Sequence, residues 1–487
     1  MSGFSRLSKL SSDQNLAFEP AVNLISMLRQ KDFSSVELTR LFLDRIEKFD
    51  NKLHSYLTVD AENALSAATK ADKRLMSGNV VGPLDGLPIS IKDLEITAGL
   101  KTTGGSQIFK DRVPKEDSVV VERIKDAGAV ILGKTNTPEF GLLGVTSNLL
   151  GEHCRNPWNI TKTSGGSSGG AASALAAGLC PVSIGGDGGG SIRIPSSFCG
   201  VFGLKPTQGR VPKYGGAGLP IAANHLSQTG PISRSVSDSA LIMQIISGFD
   251  ARDPSGFIDE ITHDTFSPTS TVNGLRIGWS SDLGFAAVDS EVLNICQEAT
   301  TSLKNAGCEI DNADIVLNEP FGPFRTLFSA MAYTAYSQLL ENYPDQLTDY
   351  AANCIENGAS VTGAEYAAAL GYVDQIKSVF NSAFEQFDVI VTPTLAVEAF
   401  DALGPLETIN EIDGREVDPW WGFFPFTFPI NLAGLPALSL PAGVDKQGYP
   451  LGLQLIGKAL DEQKILNIAF SMEKSICLLY TSPSPRD

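Results

Sequence analysis

Apolar positions along this chain follow two periods, and the switches between them outline the elements. Ser34 and Glu37 form a capping-box pattern ahead of Val36–Phe49, whose apolar residues recur at helical spacing, and the alanine-rich stretch Ala61–Leu75 reads as a second helix. After a Gly-Pro-Leu-Asp-Gly turn, Leu87–Ile91 is a short apolar run, the pattern of a buried strand, and it stops at Lys92-Asp93. Asp117–Asp126 reads as a helix closed near Gly128, and Ala129–Leu132 as another buried strand. Strand-like runs return at Val182–Ile184 and Asp388–Thr392, with helical patterns over roughly 289–306, 326–341 and 364–385.

This alternation predicts an α/β fold, a single large domain over residues 1–475 with a mixed β-sheet core covered by helices on both faces, entered through helices at about 16–75. No linker or internal repeat divides it. The closing residues, 476–487, end in Thr-Ser-Pro-Ser-Pro-Arg-Asp and read as a disordered or non-native tail.

Composition narrows the class. With 43% hydrophobic and 19% charged residues the chain can fill a sizeable core. A net charge of -18 argues against a nucleic-acid groove and an anionic membrane surface. There is no run of eighteen apolar residues and no secretory h-region, and seven scattered cysteines form no CxxC pair. These features predict a cytoplasmic protein with reduced thiols and no membrane contact. Four histidines without ligand spacing predict no metal site, and no cofactor motif is present.

Three motifs carry candidate chemistry. Gly128-Ala-Val-Ile-Leu-Gly-Lys134-Thr135 fits a phosphate-binding loop by letter, but its four intervening residues are strand material, so a buried strand is expected. Gly165-Gly-Ser167-Ser168-Gly169 fits a nucleophile elbow, yet polar, turn-like residues precede it instead of a strand. It runs into the small-residue helix Ala171–Ala177, as a packed polar loop would. In the third, strand Pro181–Ile184 leads through Gly185-Gly-Asp-Gly-Gly-Gly to Ser191 and a short helix over Ile192–Phe198. Ten of the 27 residues from Ser164 to Gly190 are glycine, which lets backbone N–H groups converge closely on an anion. Ser191 is then an acyl-transfer nucleophile, or the turn binds phosphate; the turn alone fits both. A serine nucleophile needs a base, and Lys92 at the end of a buried strand would lose its proton readily if desolvated. By itself the strand end reads more readily as a surface lysine than as a base.

At these residues the chain resembles the amidase signature family. The resemblance is carried by Gly86-Leu-Pro-Ile-Ser-Ile-Lys92-Asp93, Ser164-Gly-Gly-Ser167-Ser168-Gly-Gly, Gly188-Gly-Gly-Ser191-Ile-Arg193-Ile-Pro195 and Cys199-Gly-Val-Phe-Gly-Leu-Lys205-Pro206-Thr207. It continues in Asn431-Leu-Ala-Gly-Leu-Pro436 and Gly452–Gly457, and so spans about 30 to 475. The resemblance implies a Ser–cis-Ser–Lys triad: Ser191 as nucleophile, Ser167 as the bridge after a cis peptide, and Lys92 as base. It implies an oxyanion hole from the N–H groups of Gly188, Gly189, Gly190 and Ser191, with Ser168, Asp187 and Arg193 fixing the loops and Gly141 and Leu142 at the substrate. Where many relatives carry Thr or Ile, this chain has Gly188.

The activity implied is cleavage of amide-type C–N bonds through a covalent acyl-enzyme, including aryl amides and the carbamates cleaved by the family's urethanases. The family also contains the glutaminase subunit of a tRNA-dependent amidotransferase, which is the alternative; a non-catalytic binding scaffold is a third. The expected partners are a small-molecule amide or carbamate alone, without nucleic acid, bound by a monomer or homodimer. The aromatic run Trp420–Pro429 reads as core packing or as the lining of an apolar channel.

Overall fold

The computed structural model describes residues 16–214, 226–257, 261–262, 264–402 and 409–475. The tail assigned to 476–487 lies outside them. Eleven strands form one sheet: β1 (Tyr56–Val59), β2 (Pro88–Lys92), β3 (Val130–Thr135), β4 (Val182–Asp187), β5 (Phe202–Lys205), β6 (Gln228–Ser233), β7 (Arg276–Trp279), β8 (Glu309–Asn312), β9 (Val389–Pro393), β10 (Ala437–Val444) and β11 (Pro450–Ile456). Their spatial order is β1-β3-β2-β4-β6-β5-β10-β11-β9-β7-β8. The β3–β2–β4 run is parallel, the middle antiparallel, and the β9–β7–β8 end parallel again. The sheet is therefore mixed, in a single large α/β domain. Among the described residues no helix is long and apolar enough to cross a membrane.

The elements arise where the local chemistry calls for them. The Ser34 hydroxyl accepts from the Glu37 N–H and the Glu37 carboxylate from the Ser34 N–H, so the capping box starts helix Ser35–Leu53. Helices Phe321–Asn342 and Gly363–Gln386 cover two of the later helical patterns, and Ser290–Ser302 covers most of the third, whose end at Leu303–Ala306 tightens into a 3-10 helix. The Asp117–Asp126 pattern begins two residues late, at Val119, because Ser118 takes the capping position and accepts from the Val121 N–H. Asn159–Thr163, turn-like in sequence, is a strand paired with Arg155–Asn156. Its polar residues reflect a short ribbon open to solvent near its turn, where the neighbouring Ile160 and Thr161, on opposite faces, are both exposed.

β4 extends three residues beyond its apolar run. Gly185, Gly186 and Asp187 stay in ladder with β6, pairing with Gly230, Thr229 and Gln228. Lys92 and Lys134 end adjacent parallel strands, with Ile91 opposite Lys134 and Lys92 opposite Thr135. Gly133-Lys134-Thr135 is buried strand, as the apolar interior of the phosphate-loop-like motif predicts.

Candidate active site

Four segments meet at the ends of β2 and β4. The Lys92 side chain is 1% exposed, and its Nζ donates to Ser167 Oγ at 2.6 Å, Ser168 Oγ at 2.9 Å and the Gly186 carbonyl at 3.2 Å. Burial, reinforced by the positive charge of Lys213 and opposed by Asp187 and Glu95, lowers the Lys92 pKa to about 7. Ser167 follows a cis peptide from Gly166 and is itself buried. Ser191 is half-buried, the one hydroxyl-bearing member of this group that solvent reaches. Its carbonyl accepts from the Ser168 N–H at 3.0 Å, which ties the Ser/Gly loop to the glycine loop.

The glycine loop is shaped from beneath by a buried ion pair. Arg193 clasps Asp187 through Nε to Oδ2 and Nη2 to Oδ1, both at 2.9 Å, and both side chains are fully buried. Burial would raise the Asp187 pKa, but the Arg193 guanidinium, Lys205 and Asn431 together hold it well below the usual carboxylate range. The same carboxylate accepts from the N–H groups of Gly190 at 2.8 Å and Ile192 at 3.1 Å, curling the loop around itself. Gly190, at φ +130, takes a conformation open to glycine, and a Cβ there would strike the Thr427 hydroxyl at 2.3 Å.

That bond corrects one expectation. The Gly190 N–H is committed to Asp187 and does not face the cleft. The N–H groups of Gly188, Gly189 and Ser191 make no hydrogen bond among the described residues.

Residues more than 230 positions downstream complete the frame, and the sequence points to no role for them. Thr427 Oγ1 donates to the Gly189 carbonyl at 2.7 Å. Asn431 Nδ2 donates to the Asp187 carboxylate at 2.9 Å and its Oδ1 accepts from Arg193 at 2.6 Å, while Gln454 Oε1 accepts from Arg193 at 2.6 Å. Asn431 opens the family-like stretch Asn431–Pro436, but nothing in its spacing points back to Asp187. A Cβ on Gly141 would lie 3.2 Å from Ser167 Oγ, which sets Gly141 against the bridge. Leu142 turns away, into a small apolar cluster with Phe140, Leu347 and Ile355. In the aromatic run, Phe423, Phe424, Phe426 and Phe428 are buried in the main core, and only Trp420 and Trp421 are partly exposed.

A family model described as Amidase matches residues 37–466. The chain belongs to the amidase signature family. Its members act on C–N bonds, and the solved relatives share its architecture. A bacterial aryl acylamidase of the amidase signature family superposes with a TM-score of 0.89 at 28% identity, covering 96% of this chain and 99% of that one. A glutamyl-tRNA(Gln) amidotransferase subunit from Thermotoga maritima superposes with a TM-score of 0.76 at 28% identity, over 94% and 95%. Among curated relatives, the corresponding amidotransferase subunit of Trichormus variabilis is 37% identical over 93% of this chain and 96% of its own length.

These relatives overturn the expected partner list of small molecules alone, without nucleic acid, on a monomer or homodimer. Proteins matched across nearly the whole chain are named as one subunit of an amidotransferase acting on a glutamyl-tRNA. The physical reason lies in what net charge measures. A total of -18 describes the whole surface and excludes neither a sister subunit nor a nucleic acid held largely by one.

Proposed function

We propose that this amidase signature chain cleaves an amide C–N bond through an acyl-Ser191 intermediate, with Lys92 as base and Ser167 as bridge. The carrying observation is the buried Lys92 Nζ, 2.6 Å from Ser167 Oγ, with Ser191 on the open side. Neutral Lys92 takes the Ser167 proton and Ser167 that of Ser191 as Ser191 Oγ attacks the carbonyl carbon. The carbonyl π pair moves to oxygen, where the N–H groups of Gly188, Gly189 and Ser191 receive it. As the C–N bond breaks, the proton returns through Ser167 to the leaving nitrogen, which departs as a neutral amine or ammonia. Water then repeats the sequence on the acyl ester, and Ser191 is regenerated.

Two acyl donors fit this relay. The curated relatives favour the first, a carboxamide such as glutamine whose ammonia passes on within an amidotransferase assembly. Phe328 and Trp421 favour the second, an apolar amide or carbamate: both are partly exposed and pack at 5.3 and 5.6 Å on the buried Phe324, whose ring lies 2.7 Å from where a Cβ on Gly189 would be. The aryl acylamidase neighbour points the same way.

The test offers the purified full chain glutamine, 4-nitroacetanilide and a matched aryl carbamate, with Ser191→Ala as control. Ammonia from glutamine supports the first donor, and aniline release supports the second. Turnover that persists in Ser191→Ala rejects the relay for both.

A further inference from the structure

Lys92 faces three charged groups, two acidic and one basic: Asp187, Glu95 and Lys213. Asp187 is saturated by Arg193 beneath the glycine loop. The other two stand on one edge of the site. Glu95, three residues beyond Lys92, accepts from Thr229 Oγ1 at 2.6 Å and Ser118 Oγ at 3.0 Å. Thr229 lies opposite Gly186, whose carbonyl accepts from the Lys92 ammonium.

Two residues back along the same strand edge, Ser227 sits against Gly188, with its Cβ 3.7 Å from where a Gly188 Cβ would be. Lys213 Nζ donates to Ser227 Oγ at 2.7 Å, and its backbone N–H is fixed by Asp253 Oδ2 at 2.7 Å. The ammonium of Lys213 is therefore anchored beside the loop that would bind the oxyanion. It shares no hydrogen-bond acceptor with Lys92, so its influence acts through space.

We propose that Lys213 is a positioning residue of the relay, a fixed cation that disfavours a second positive charge on Lys92 and so keeps the base unprotonated near neutral pH. The inference rests on the reading of Lys92 as base. Burial is the larger cause of the low Lys92 pKa, and Lys213 adds to it against Asp187 and Glu95, while Glu95 and Asp253 favour the charge on Lys213 itself against its own burial. A like charge near a buried amine raises the cost of ionising it, and the effect weakens as mobile ions screen the exposed partner.

The experiment follows the rate at which an alkyl fluorophosphonate labels the full-length protein, as a function of pH, which needs no knowledge of the substrate. Removing the cation in Lys213→Met is expected to move the midpoint of the rise upward by about half a pH unit or more, since the unprotonated base then appears only at higher pH. Lys213→Arg keeps the charge and the wild-type midpoint. In the wild type, about 1 M NaCl moves the midpoint toward that of Lys213→Met. A Lys213→Met profile that falls by one factor at every pH, with the midpoint unmoved, overturns the proposal in favour of a purely structural side chain. A wild-type midpoint indifferent to salt overturns it as well, even if Lys213→Met fails to fold. Equal labelling of Ser191→Ala is a separate failure, that of the nucleophile.

Discussion

Two buried lysines end neighbouring parallel strands in this molecule, and the proposed relay uses only one of them. Lys92 on β2 and Lys134 on β3 are both sequestered from solvent, and burial lowers their pKa values to about 7 and about 8. The difference lies in what receives their protons. Lys92 meets two hydroxyls, Ser167 and Ser168, and Ser167 can pass a proton onward. Lys134 meets the Glu95 carbonyl and Thr97 Oγ1, with the charge of Asp93 acting most strongly to favour its ammonium. The Glu95 carbonyl has no proton to give, and the Thr97 hydroxyl commits its own to that same carbonyl at 3.1 Å. Desolvation alone does not make a base; in the proposed relay a buried amine becomes one where a neighbouring hydroxyl, here Ser167, can carry a proton between it and the nucleophile.

The comparison breaks most sharply by mutation. Lys92→Met is expected to lose about a thousand-fold or more in turnover while remaining folded, because it removes the base and leaves only the oxyanion donors. Lys134→Met is expected to keep turnover per folded molecule but to lose about 1–3 kcal/mol in urea denaturation, since a buried carbonyl and hydroxyl lose their donor. If the two phenotypes exchange, so do the assignments.

The frame under Ser191 comes next. Arg193→Met strands the Asp187 carboxylate in the interior, at a cost of about 3–5 kcal/mol. The proposed donors of Gly188, Gly189 and Ser191 also lose their support, worth about a hundred-fold in turnover. Thermal melting and kinetics on the same preparation separate the two effects.

Acidity distinguishes the lysines more finely. In the proposed relay Lys92 works in its neutral form, so activity is expected above pH 7 and is lost as pH falls through about 7. Lys134→Met leaves that limb in place. The smallest expected change is in Thr427→Val, which removes one hydrogen bond to the Gly189 carbonyl and lowers turnover by about ten-fold at constant KM. A change in KM instead would move Thr427 from shaping the loop to binding substrate.

Much of this arrangement is legible in the sequence, and the limits have physical causes. The apolar runs ending at Lys92 and Lys134 announce buried strands, because a strand covered on both faces needs no polar alternation. The capping box at Ser34 and Glu37 announces a helix from local chemistry alone. The phosphate-loop pattern at Gly128–Thr135 has strand letters in its interior, and that interior is sheet. Thr427, Asn431 and Gln454 are invisible as site residues because their partners lie 238 to 261 positions away. The donor role expected of Gly190 is taken from it by its neighbour Asp187, a competition no spacing reveals. The partner list fails for another reason, because total charge says little about a local surface.

The most direct test of the central claim is intact-mass and peptide mapping of the full-length protein after exposure to an alkyl fluorophosphonate near pH 8. A single adduct on Ser191, slowed about a thousand-fold or more in Lys92→Met and at wild-type rate in Lys134→Met, is the predicted result. Adduct formation on another residue, or Ser191 labelling that depends on Lys134 and ignores Lys92, would contradict it.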